Sequence, residues 1–167
     1  AKEAGNIAKE AQNADKCNEG KYDIIFSPLA IANLLSLVGD ATSIFFVESG
    51  FSFLKDKLNK KVASSLVNFG DNPLTQGGVG STEFDAEGYP TKNKLLIQDG
   101  YLKTYLHNYS TAKRYNVQST GNAGLISPMP MNLVLENGDW SKEEMIKEIK
   151  KGIIVTNLWY TRFKNYA

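Results

Sequence analysis

The dipeptide Asp99-Gly100 interrupts two apolar runs in KLLIQDGYLKTYL, residues 94–106. A tight two-residue connection needs positive φ at both positions. Gly adopts that freely, Asp tolerates it, and the resulting turn matches the twist of antiparallel strands. The stretch therefore predicts a β-hairpin. A hairpin commits its surroundings to antiparallel pairing, and no regular βαβ alternation appears elsewhere. The expected class is α+β, a mostly antiparallel sheet with helices packed on it.

Caps and periodicity place the other elements. Residues 1–19 carry Ile7, Ala8, Ala11 and Ala14 at helical spacing, with Gly20 as the expected left-handed stop. YDIIFS, 22–27, reads as a short strand buried on both faces. Ser27-Pro28 opens a helix, Ser as N-cap and Pro at the first helical position, with Ala30, Ile31, Leu34, Leu35 and Val38 as its core face. Two short helices are expected over 42–49 and 52–61 around Gly50, then a strand over 63–69. Residues 70–90 are rich in Gly, Pro, Asp and Thr and read as a long loop, a place where function often lies. A short helix over 110–116 capped by Ser110, a second loop over 119–130 and a strand over 131–136 follow. Ser141 and Glu144 form a capping box, with Trp140 and Met145 as its staple. Met145, Ile146 and Ile149 are expected to face inward and Gly152 to end that helix. IIVTNLWYTRF, 153–163, reads as a long aromatic strand.

Charge removes one class of function. Nineteen basic and eighteen acidic side chains leave a net +1. Gripping a phosphate backbone calls for a basic excess or stripe. The basic runs at 55–61 and 147–151 contain acids or sit beside them, as solvated helix faces do. Direct nucleic-acid binding is not expected. The one cysteine, Cys17, permits no intramolecular disulfide, which suits a reducing compartment and a cytoplasmic location. No apolar run reaches the ~18 residues of a membrane span. The start, Ala1-Lys2-Glu3, is charged and lacks Met, so residues 1–167 are expected to be a single-domain fragment with flanking regions absent.

Candidate chemistry is sparse. His107 is the only histidine, which excludes a two-histidine metal site within this chain. Cys17 has no CxxC partner. In FDAEGYP, 84–90, Asp85 and Glu87 stand two apart. Such a pair can serve as acid and base, hold a cation, or cap backbone N–H groups. The glycines at 77–80 and 121–124 match neither the dinucleotide fingerprint nor a P-loop, and Ser81, Ser110 and Ser119 lie outside any G-x-S-x-G.

Several segments in fixed order carry a resemblance: YDIIFSPLAIANLL, FSFLKDKLNKKVAS, GSTEFDAEGYPTKNKLLIQDGYLKTYLHNYSTAKRY, STGNA and KKGIIVTNLWYTRF. Together they resemble the PmbA/TldD family, named for a proposed modulation of DNA gyrase and regarded as metallopeptidases. The resemblance implies part of that family's C-terminal domain. It also implies a metal site to look for. TldD-type members carry His-Glu-x-x-x-His on the helix after the SP start, completed by a thiolate from outside this stretch. With Val38-Gly39 as register, the corresponding positions here are Leu35, Ser36 and Asp40. That is a degenerate motif.

The resemblance therefore points to the PmbA/TldE branch, a subunit without the zinc motif. It implies no metal and no catalytic residue in this chain, with zinc carried by a TldD-like partner, and a heterodimer that cleaves unfolded or extended peptides. By itself the chain is expected to be inactive. The loops at 70–90 and 119–130 are expected to line a shared cavity, with Asp85, Glu87 and His107 contributing. Strands 94–106 and 153–163 are candidate edges for an extended peptide or for self-association. The alternative is a non-proteolytic module that binds and regulates DNA gyrase. A third reading is an independent hydrolase using Asp85 and Glu87.

Overall fold

The computed structural model describes residues 2–159 and 161. Its first helix, α1 (Lys2–Glu10), passes into a 3-10 turn at Ala11–Asn13 that buries no residue. The expected helix over 1–19 is thus much shorter. Ile7 stays 46% exposed, so no core face supports the helix, and a short helix on propensity alone is marginal. Gly20 is not among the glycines with positive φ.

Strand β1 (Asp23–Phe26) pairs in parallel with β6 (Gly152–Val155), Asp23 opposite Gly152 and Phe26 opposite Val155. Only Ile25 of β1 is buried, and Ile24 faces outward, which corrects the expectation of burial on both faces. Ser27 caps α2 (Pro28–Ala41) as expected, its side chain accepting from the Ala30 N–H. The helix buries Ala30, Gly39 and Ala41, while Leu35 and Val38 pack at the rim of the core. Gly39 lets α2 approach β5 closely: a Cβ there would sit 2.4 Å from Cδ1 of Leu133, whose side chain would have to turn aside. Helix α3 (Ile44–Glu48) follows.

Residues 52–61 are turns rather than a helix. Asp56 and Asn59 adopt φ of 58° and 60°, which no right-handed helix accommodates. Strand β2 (Phe69–Asp71) is shorter and later than the 63–69 expected, because 59–63 is used otherwise. Asn59 N donates to Leu102 O, Leu102 N to Lys60 O, and Val62 N to Gly100 O. These bonds seal the outer side of the hairpin.

That hairpin consists of β3 (Lys94–Gln98) and β4 (Tyr101–Leu102), joined through Asp99 and Gly100 at φ 51° and 80°. Helix α4 (Tyr109–Tyr115) is capped by Asn108, not Ser110, in a capping box with Thr111. After β5 (Leu133–Leu135), helix α5 (Lys142–Glu148) starts with the expected Ser141–Glu144 box. It ends at Ile149, and Gly152 opens β6 instead of closing the helix. Met145 and Ile149 are half-buried, whereas Ile146 is exposed. Residues 156–159 are not strand; Tyr160, Arg162 and Phe163 of the expected aromatic strand lie outside the described residues.

The antiparallel sheet has the order β4-β3-β2-β5, and β1-β6 form a separate parallel pair. Phe69, Leu96, Ile97, Leu102, Leu106, Leu54 and Ala41 make the core between that sheet and the α2–α3 junction. The fold is the α+β arrangement with a mainly antiparallel sheet.

Candidate functional site

Two places on this scaffold combine chemistry with position: a buried polar junction beneath the loops, and the helix that carries positions 35, 36 and 40.

The junction centres on Asp71 at the end of β2, fully buried. Its Oδ1 accepts from the N–H groups of Met131 (3.0 Å) and Asn132 (2.8 Å). Its Oδ2 accepts from Lys94 Nζ (3.2 Å) and Asn122 Nδ2 (2.6 Å). The Asn122 amide also donates to Met129 O. Its Oδ1 is buried with no partner among the described residues. Burial lowers the Lys94 pKa, and the Asp71 charge opposes that shift. A charged carboxylate with four donors, two of them backbone, is a fixed anchor. It ties the loop 119–132 to the sheet. None of these three side chains was singled out from sequence. The available signals were Gly70-Asp71 in a strand end and Asn122 within STGNA.

Asp85, a candidate from sequence, is buried and plays the same role nearby. Its Oδ1 accepts from the N–H groups of Glu87 and Tyr89, closing its own turn, and its Oδ2 accepts from Ala123 N at 2.9 Å. Glu87 is exposed, and its Oε2 accepts from Tyr109 N at 2.8 Å, at the start of α4. His107 is buried beside α4: Nδ1 lies 3.3 Å from Thr111 Oγ1, and the ring tilts against Tyr115. Its backbone N–H donates to Thr120 Oγ1, which donates back to His107 O. Burial pushes the imidazole pKa down, against the pull of Glu48 and with the push of Arg114. Asp85 thus ties 84–91 to 119–124, Glu87 ties it to the start of α4, and the His107 backbone ties 107–111 to Thr120. Two of the three candidates serve backbone donors there, and the ring of the third packs on α4. Of the uses open to the carboxylate pair, capping is the one observed.

On α2 the three positions that the resemblance aligns with the metal motif diverge. Leu35 packs on the core. Ser36 is exposed and donates to Asn33 O at 2.9 Å. Asp40 is exposed, yet the protein on its inner side strips enough water to push its carboxyl above the ordinary range. A hydrocarbon, a hydroxyl turned to its own helix and one carboxylate do not make a zinc ligand set, which needs three nitrogen, sulfur or oxygen donors converging. Among the described residues no three His, Cys, Asp or Glu side chains converge. The residues present do not fit the metal.

Beside the same helix runs a groove of roughly 1160 Å³. Ile31 and Leu35 of α2, Leu66, Leu133 and Leu135 of β5, and Trp140 are among its lining residues. Asp85, Glu87 and His107 are not among its lining residues. The expected peptide edge at 94–106 is closed by 59–63, so the open edge of the main sheet is β5. Among the described residues no helix is long and apolar enough to cross a membrane.

Comparison with known proteins places these features. Residues 19–167 match the family described as the PmbA/TldA metallopeptidase C-terminal domain. A metalloprotease of Methanocaldococcus jannaschii is 37% identical over 161 residues, covering 93% of this chain and 36% of the relative. A Thermotoga maritima protein described as a DNA gyrase modulator superposes with TM-score 0.87 at 34% identity, over 92% of this chain and 36% of the other. TldE from Thermococcus kodakarensis superposes with TM-score 0.71 at 31% identity, over 83% of this chain and 33% of the other. The chain spans about a third of the length of the curated relatives it matches.

Proposed function

Because the chain belongs to the PmbA/TldD family, in its C-terminal domain, we propose that it acts as the TldE-like, non-catalytic half of a cytoplasmic zinc-dependent peptidase. The partner is a TldD-like subunit that holds the zinc, and the substrate is an unfolded or extended peptide. One observation carries this reading. Leu35, which the resemblance aligns with the first metal ligand of the family motif, packs its hydrocarbon side chain against the rim of the core. A metal ligand at that position would have to replace a packed side chain, which supports the reading.

What this chain's own residues do is structural and positional. Asp71 and Asp85 hold the loops 72–91 and 119–132 against the sheet. Such loops, anchored at their bases, can form one wall of a cavity closed by a second subunit. The groove beside α2 offers apolar surface and an unpaired strand edge, the two elements of sequence-tolerant peptide binding.

The test is reconstitution. The purified chain alone binds no stoichiometric zinc and cleaves no peptide. Mixed with a zinc-bearing TldD-type homologue, it yields chelator-sensitive peptide cleavage that neither subunit shows separately. Chelator-sensitive cleavage by this chain alone overturns the proposal. Co-purification with DNA gyrase and no zinc-bearing homologue would favour the non-proteolytic reading.

A further inference from the structure

Asn-Gly occurs once in the chain, at Asn137-Gly138, and Asp-Gly once, at Asp99-Gly100. Both dipeptides can close the same ring. The backbone nitrogen of the glycine attacks the side-chain carbonyl carbon of the residue before it. Glycine favours the attack because no Cβ crowds the nitrogen or restricts φ and ψ. An amide side chain closes the ring more readily than an ionised carboxylate, whose carbon is the poorer electrophile. In a folded protein the outcome then depends on what holds the glycine nitrogen.

The two sites differ in that respect. Gly100 N donates to Val67 O at 3.0 Å, and Asp99 N donates to Asn68 Oδ1 at 2.8 Å. Both residues sit at positive φ, and a Cβ on Gly100 would lie 2.5 Å from the carbonyl oxygens of Ala63 and Ser64. That nitrogen is committed and enclosed. Asn137 and Gly138, by contrast, are exposed and belong to no helix or strand. Among the described residues neither has a hydrogen-bond partner. A Cβ on Gly138 would meet nothing within 4 Å. The segment runs free between two fixed points, Glu136 N on Asn68 O and the Ser141–Glu144 capping box. Every other asparagine is followed by a residue with a side chain, and Asn72 precedes Pro73, which has no N–H. Asn122 is also buried, its amide held by Asp71 and Met129.

We propose that Asn137 is a self-modifying site: in the folded protein it cyclises with Gly138 to a succinimide, which opens to aspartate and isoaspartate. The Gly138 nitrogen loses its proton to solvent base and bonds to Cγ of Asn137. The side-chain nitrogen takes up a proton and leaves as ammonia. Water then adds to one of the two ring carbonyls and breaks that carbon's bond to the ring nitrogen. Opening at the former side-chain carbonyl gives aspartate. Opening at the backbone carbonyl gives isoaspartate, in which the main chain runs through the former side chain and gains a methylene. Either product puts a new carboxylate between Glu136 and Asp139 and cancels the net +1 of the chain. The change falls on the link from β5 to α5. Water is the one co-reactant, so nothing in this step depends on the proposed function.

The test is incubation of the full, folded chain at neutral pH. Peptide mass mapping locates the conversion, and an isoaspartyl-specific carboxyl methyltransferase with labelled S-adenosylmethionine reports the isoaspartate. Conversion is expected first at Asn137, with isoaspartate in excess of aspartate. Its rate in the folded chain stays within about threefold of the rate in guanidinium chloride, because the fold holds neither reacting atom. Asp99 isomerises about tenfold or more faster in the denaturant than in the folded chain. Gly138→Ala, which has room for its Cβ, slows conversion at Asn137 about tenfold. Asn137→Gln, which would need a larger ring, leaves almost none. Both variants keep the thermal midpoint of the wild type. Earlier conversion at another asparagine, aspartate without isoaspartate, or an unchanged rate in Gly138→Ala overturns the assignment. So does a folded chain in which Asn137 is protected by more than about threefold, which would mean that the fold restrains this segment after all.

Discussion

The polar junction under the loops and the groove beside α2 are opposite solutions to what a chain does with its hydrogen-bonding groups. At the junction, Asp71 and Asp85 are buried and turn their oxygens to backbone or side-chain donors. Along the groove, the outward backbone groups of Leu133 and Leu135 have no partner among the described residues, and apolar side chains line the space. Buried polar groups that are fully paired specify one geometry and have little left for chemistry. Unpaired edges beside apolar walls specify little alone and much with a partner. The acids that look catalytic in the sequence, Asp85 and Glu87, accept backbone N–H groups in the first region.

The sharpest way to break this comparison is Asp71→Ala. It strands the Lys94 ammonium and leaves two backbone N–H groups and the Asn122 amide without their acceptor. The expected loss is about 3–5 kcal/mol, read from urea unfolding. A loss under about 1 kcal/mol would mean the junction is not an anchor. Asp85→Ala should cost about 2–3 kcal/mol by the same measurement, since three backbone donors lose their partner, whereas Glu87→Gln stays near neutral. If Glu87→Gln instead abolished an activity of the isolated chain, the hydrolase reading would return.

On the groove side, Leu35→Ala should cost about 1–2 kcal/mol, less than a fully buried leucine because the residue is only partly enclosed. His107 gives a pH test with a definite sign. Burial holds its pKa below the ordinary 6.5, so the unfolded chain takes up the proton more readily than the folded one. The stability it contributes is complete above that value and declines as pH falls through and below it. Glu48 and Arg114 are the charges that face it, and they act in opposite directions. The urea midpoint of the wild type should drop from about pH 7.5 to about pH 5.5 more steeply than that of His107→Gln. Smallest of all is Trp140→Ala, expected within about 0.5 kcal/mol of wild type, because the ring is exposed.

Local signals were readable along the chain. The Asp99-Gly100 turn, the Ser27-Pro28 helix start and the Ser141–Glu144 box each depend on residues within a few positions of one another, and each formed as the sequence predicts. The errors arose where distant partners decide. Residues 59–63 give up helix and strand to cover β4. Asp71 becomes an anchor only when Lys94, Asn122 and Met131, 23 to 60 positions away, converge on it. No periodicity announces such a meeting. Leu35 was the reverse case: as a residue it looked like ordinary core, and only its place in a family motif gave its ordinariness a meaning.

The pairing of β1 with β6 also has a mechanical side. The two strands run in the same direction, with Asp23 beside Gly152. Tension applied ahead of β1 and behind β6 therefore drags them lengthwise past each other. All the slanted bonds of the pair share that load at once instead of opening one by one. The intervening residues 27–151 are shielded from the pull until this clasp slips, so a force sensor spliced between the two strands would stay silent until then.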